Sequence, residues 1–118
     1  MKNGITVAAG SDCPVVPVNP LMGVYAAVSR KSESGKGVVP EEKVSPLEAL
    51  RMYTVFAAKS GFEEEIKGSI APGKLADMVL LNGDPTRVAP DEIKDLRVEM
   101  TILNGEVVWQ KENCSAFR

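Results

Sequence analysis

The chain has 118 residues, with 14 Lys and Arg against 16 Asp and Glu and no histidine. That length supports one domain with a modest core and falls short of a closed eight-stranded α/β barrel, which needs about 200 residues. A net charge of −2 gives no general pull towards nucleic acid or an anionic membrane, and the missing histidine excludes a Ser-His-Asp triad, a Cys-His pair and a histidine-ligated metal within the chain.

The apolar run Ile5 to Ala9 reads as a buried strand that Gly10-Ser11-Asp12 ends. It is too short for a transmembrane helix and too weak for a signal peptide. A loop with Pro14, Pro17 and Pro20 follows. Asn19 can cap a helix that starts at Pro20, and Leu21, Val24, Tyr25 and Val28 recur at helical spacing. Lys31 to Gly37 is polar and glycine-containing, which predicts a mobile loop.

Ser45-Pro46-Leu47-Glu48 predicts a second helix start, with Ser45 as cap and Glu48 closing a capping box. Leu47, Leu50, Thr54 and Ala58 share one face of that helix, and Gly61 stops it. Glu63-Glu64-Glu65 reads as a solvated charge run. Beyond Ile66 the texture changes to short strands. Ala76 to Leu81 is one; Val98 to Leu103 and Glu106 to Gln110 flank Asn104-Gly105, the signal of a type I′ hairpin. Pro90-Asp91-Glu92-Ile93 predicts a short helical turn. Three units follow: residues 1–65, residues 66–112, and a frayed tail over 113–118.

Few residues carry chemistry. Gly68 to Leu75 nearly matches a phosphate-binding loop, but Leu75 replaces the hydroxyl and a strand follows the lysine, so a turn at Pro72-Gly73 is the better reading. Asn113-Cys114-Ser115 has the form of a glycosylation site, without a secretion signal to give it meaning. The two cysteines, Cys13 and Cys114, form no CxxC, which argues against a zinc ribbon and for a reducing, cytoplasmic setting. Cys13 has no basic neighbour to lower its pKa and reads as a small buried filler rather than a reactive thiol. Arg30 is either an anion ligand or, by default, a charge at a helix end. Asp12 ends a strand, the place where α/β barrels keep catalytic carboxylates, though a structural cap is the commoner role there.

The segments Gly10-Ser11-Asp12-Cys13-Pro14-Val15, Asn19-Pro20, Ala27-Val28-Ser29-Arg30 and Ser45-Pro46-Leu47-Glu48-Ala49-Leu50 are similar, in this order and spacing, to the amidohydrolase superfamily. So are Tyr53-Thr54, Lys67-Gly68-Ser69-Ile70, Pro72-Gly73-Lys74-Leu75-Ala76-Asp77 and Thr101-Ile102-Leu103-Asn104-Gly105. Within it the chain most resembles the C-terminal part of the branch that holds N-substituted formamide deformylases, amidohydrolase family 3. The resemblance runs from Gly4 to Gln110.

The resemblance implies a mixed α/β fragment: the last strand and outer helices of a metal-dependent (β/α)8 barrel, then C-terminal strands of an accessory β-sandwich. It implies that Asp12 is the aspartate ending the eighth barrel strand, catalytic and, in a complete barrel only, a metal-site residue. It implies hydrolysis of a non-peptide C–N bond through a divalent metal, zinc being the expected one. No cofactor is expected in this chain alone, because one carboxylate falls short of the three or more ligands a catalytic metal takes. The isolated chain is therefore expected to be inert. The alternative is a non-catalytic interaction or regulatory module, matching the exoenzyme regulatory label some members carry. The expected partner is a second copy of the chain, or a complementing N-terminal chain that brings the histidines; nucleic acid and membrane are not expected.

Overall fold

Asn19 and Pro20 begin the first helix as their chemistry requires. In the computed structural model, which describes residues 4–112, α1 spans Pro20–Ser29 and the Asn19 side chain accepts from the Leu21 N–H. Arg30 ends it in the left-handed region, its N–H donating to the Ala26 carbonyl. Leu21, Val24 and Val28 are buried on one face. Lys31 to Gly37 is closed by an antiparallel bridge between its first and last residues. The Ser32 amide donates to Lys36 and the Gly35 amide to Ser32, so the stretch forms a small turn held at its base.

The second helix starts with the full capping box. Ser45 Oγ accepts from the Glu48 N–H, and the Glu48 carboxylate accepts from the Ser45 N–H at 2.9 Å. The helix is not continuous to Gly61. It divides at Thr54 into α2, Pro46–Tyr53, and α3, Val55–Ser60. The expected apolar face is covered in part: Leu50 packs against the core and Ala58 is buried, but Leu47 and Thr54 are exposed. Leu47 is 51% exposed, while Ala49 is fully buried against α1. Spacing locates a stripe of apolar residues, but only the neighbouring element decides which side is covered.

A three-stranded antiparallel sheet follows, in the order β1-β2-β3. The strands are β1, Met78–Leu81; β2, Val98–Leu103; and β3, Glu106–Gln110. Asn104 and Gly105 both have positive φ, as a type I′ turn demands. A 3-10 helix over Pro90–Asp95 lies between β1 and β2, and the Glu92 carboxylate accepts from the Ala89 N–H at its start. Its Ile93 is 0% exposed and packs with Val24, Val28 and Ala49. The core thus joins α1, α2 and the connection between two strands.

The strand expected over Ile5 to Ala9 is not formed. These residues pair with no strand, and Ile5 is 67% exposed. An extended apolar segment becomes a strand only where another strand meets its N–H and C=O groups, and none does so among the described residues. The tail expected over 113–118 and the Asn113-Cys114-Ser115 motif within it lie outside the described residues.

Two predictions follow from this packing. Ile93→Ala removes a fully buried side chain and is expected to cost about 2–5 kcal/mol in urea unfolding, whereas Leu47→Ala should change stability by less than about 0.5 kcal/mol. The second concerns acid. The backbone N–H and the hydroxyl of Ser45 donate to Glu48 and hold its carboxyl below the usual value of 4.5. A carboxyl lowered in the folded state contributes stability above its unfolded pKa and loses that contribution as pH falls through the lowered one. Helical circular dichroism should fall on acidification below that range, and Glu48→Gln should flatten the slope relative to the natural chain.

Candidate functional site

Residues 9–20 carry the site candidate from the sequence. The Ala9 N–H donates to the Met52 carbonyl at 3.0 Å, which ties this segment to the end of α2. The chain then turns. Asp12 has φ +53, and its carbonyl accepts from the Val15 N–H at 2.9 Å. Ser11 Oγ accepts from the Cys13 N–H at 3.3 Å. Aspartate is among the side chains that enter the left-handed region most readily, so this turn suits its sequence. The Asp12 residue is exposed. A local turn, rather than a sheet, thus presents the carboxylate.

Cys13 is exposed as a free cysteine, not buried as filler. The turn that lifts Asp12 to the surface carries its neighbour with it. Arg30 takes the default role, at the end of α1 with its Nε donating to the Val38 carbonyl at 3.0 Å. The Gly68 to Leu75 stretch is a turn, and its lysine is already engaged: Lys74 Nζ donates to the Glu64 carbonyl and to Ser69 Oγ. A phosphate would have to displace both contacts. Glu63 of the acidic run pairs with Lys67, four residues later in the turn after α3.

Beside the Asp12 turn opens a groove of about 540 Å³, walled by Gly10, Ser11, Val16 and Met22 together with Tyr25, Tyr53, Lys31 and Lys94. Asp12 does not contribute to its walls. Lys31 Nζ meets both oxygens of Asp91, at 2.8 and 2.6 Å. This contact raises the lysine's pKa and lowers that of the carboxyl. Lys94 lies 5.4 Å from the centre of the Tyr25 ring, in reach of a cation–π contact. Gly23 allows Tyr53 to close in, since a Cβ there would lie 1.8 Å from the phenol oxygen. No motif in the sequence marks these tyrosines as neighbours. The only signal was their place on helices whose packing the sequence leaves open.

Among the described residues no three His, Cys, Asp or Glu side chains come together to hold a metal ion. Asp12 alone is too few ligands for a divalent metal. Nor is any helix among them long and apolar enough to cross a membrane.

Comparison with known proteins agrees with this mixed α/β arrangement. The chain is 37% identical over 114 residues to YtcJ of Bacillus subtilis, an amidohydrolase by name, covering 94% of this chain and 22% of that protein. It is 33% identical over 108 residues to the N-substituted formamide deformylase of Arthrobacter pascens, covering 92% of this chain and 20% of that one. The structure of an amidohydrolase from Thermotoga maritima superposes with a TM-score of 0.66 at 26% identity, over 93% of this chain and 24% of the other. The chain therefore spans about a fifth of the length of the curated relatives it matches. Residues 1–109 match the amidohydrolase family, and the chain belongs to it.

Proposed function

We propose that this chain is the C-terminal segment of a metal-dependent amidohydrolase acting on a non-peptide C–N bond. The match to the family across residues 1–109, with Asp12 held out on an exposed turn, carries this reading. The name of the Arthrobacter relative favours an amide or formamide as substrate. In this reading residues 1–65 belong to the end of a (β/α)8 barrel and residues 66–112 supply strands of an accessory sandwich, in a cytoplasmic protein. The segment 5–12 gains its strand pairing only when neighbouring strands are present.

The role assigned to this chain is a proton transfer. Water oxygen bonds to the carbonyl carbon, the C–N bond breaks, and nitrogen leaves as an amine. Asp12 Oδ takes a proton from the attacking water and returns it to the departing nitrogen. The residues described do not fit a metal site by themselves. The zinc or other divalent ion implied by the family resemblance would be held by side chains outside them, with Asp12 joining its site only in a complete barrel.

A second reading rests on a different observation. Val79, Leu103 and Trp109 are exposed on a sheet whose two outer strands, β1 and β3, pair with no further strand among the described residues. Such surfaces pair with other chains. In this reading the chain is a non-catalytic interaction or regulatory module that forms a homo-oligomer, or binds a complementing N-terminal chain.

The isolated chain with zinc added is expected to leave an N-alkyl formamide unhydrolysed; turnover that Asp12→Asn abolishes in this chain would overturn that expectation. Intact mass of the protein from its natural host decides between the readings. A mass several times that of 118 residues supports the enzyme, and in that protein Asp12→Asn should lower kcat by about 10²–10⁴-fold. For the module reading, sedimentation should give a dimer or larger species, and a clean monomer at high concentration counts against it.

A further inference from the structure

Helices α2 and α3 are interrupted at one residue, Thr54, with φ −123 and ψ −96. Two contacts meet at this interruption. The carbonyl of Met52 accepts the N–H of Ala9 at 3.0 Å. In an unbroken helix that carbonyl is taken by the amide four residues later. On the other side lies Gly68, with φ +90. A Cβ there would lie 2.7 Å from Ala58 Cβ and 3.2 Å from both the Thr54 carbonyl oxygen and Val55 Cα. Glycine alone lets this backbone rest on the break. Thr54 Oγ1 donates to the Leu50 carbonyl at 2.8 Å and so satisfies a carbonyl that the end of α2 exposes.

The Ala9 bond matters because, among the described residues, no other backbone hydrogen bond joins residues 4–12 to the helices. Asp12 lies three residues beyond it. We infer that Gly68 and the break at Thr54 are positioning elements for Asp12. Gly68 seats its loop on the break, the break turns the Met52 carbonyl towards Ala9, and the Ala9 bond fixes the segment that ends in Asp12. A residue 56 positions away along the chain thereby helps set where the carboxylate stands. The functional weight of this link rests on the reading of Asp12 as proton acceptor; the physical link does not.

Amide hydrogen exchange, read by NMR on the 118-residue chain, tests it without any assay of hydrolysis. In the natural chain the Ala9 amide should exchange at least about tenfold more slowly than those of Gly10 and Ser11. Gly68→Ala should remove that protection while the amides of Val24 and Val28 in α1 keep theirs, and the Asp12 and Cys13 resonances should shift. A general loss of stability would lower α1 protection as well. Should Gly68→Ala unfold the chain, Thr54→Ala, at an exposed position, is expected to show the same selective loss at Ala9. An Ala9 amide as fast as its neighbours in the natural chain overturns the inference. So does unchanged Ala9 protection in a variant whose α1 stays protected. Failure of the proton-acceptor reading would appear separately, as undiminished kcat in Asp12→Asn.

Discussion

Ile93 is the contact on which the described structure depends. It comes from a 3-10 helix of six residues, Pro90–Asp95, too short to be stable alone. Its side chain is fully buried against Val24 and Val28 of α1 and Ala49 of α2. Three elements distant in sequence thus share one small core. The Lys31–Asp91 pair spans the same junction on its solvent side. As an exposed ion pair it adds orientation more than stability. The sheet has no comparable anchor: of its residues only Met100 is fully covered.

This distribution explains which parts of the fold the sequence made legible. Local chemistry was enough for the Asn19 cap, the Ser45–Glu48 capping box and the Asn104-Gly105 turn, because the groups that satisfy each other lie within a few residues. The features that escaped depend on distant contacts. Ile5 to Ala9 has the composition of a strand, yet a strand exists only with a partner. The helix from Pro46 breaks where Gly68 presses on Thr54 and Val55, and no property of residues 46–60 announces a contact from residue 68. Spacing puts Leu47 with Leu50 on a buried face, but the residues that meet the core are Ala49, Leu50 and Tyr53, and Leu47 is left exposed.

The candidate site divides along the same line. Asp12 was legible as a carboxylate at the end of an apolar run, and the structure places it on an exposed turn. The groove beside it was not legible, because Tyr25, Tyr53 and Lys94 meet only after α1, α2 and the 3-10 helix have packed. Cys13 failed for a related reason. Its size and the lack of basic neighbours suit a buried position, but the positive φ at Asp12 turns the chain outward just before it.

Asp12 and Asp84 both stand at turns, and each turn is held by a different set of groups. A carboxylate retained for structure at a turn accepts hydrogen bonds from nearby amides, as Asp84 does from the amide and hydroxyl of Thr86. Those bonds hold Asp84 below its ordinary pKa. Around Asp12 the capping acceptor is Ser11 Oγ, which takes the Cys13 N–H. The serine accepts the local amide, while Asp12 supplies the positive φ that the turn needs. The turn is thus built from the Ser11 hydroxyl, which takes the Cys13 amide, and from the left-handed backbone of Asp12, whose carbonyl takes the Val15 amide.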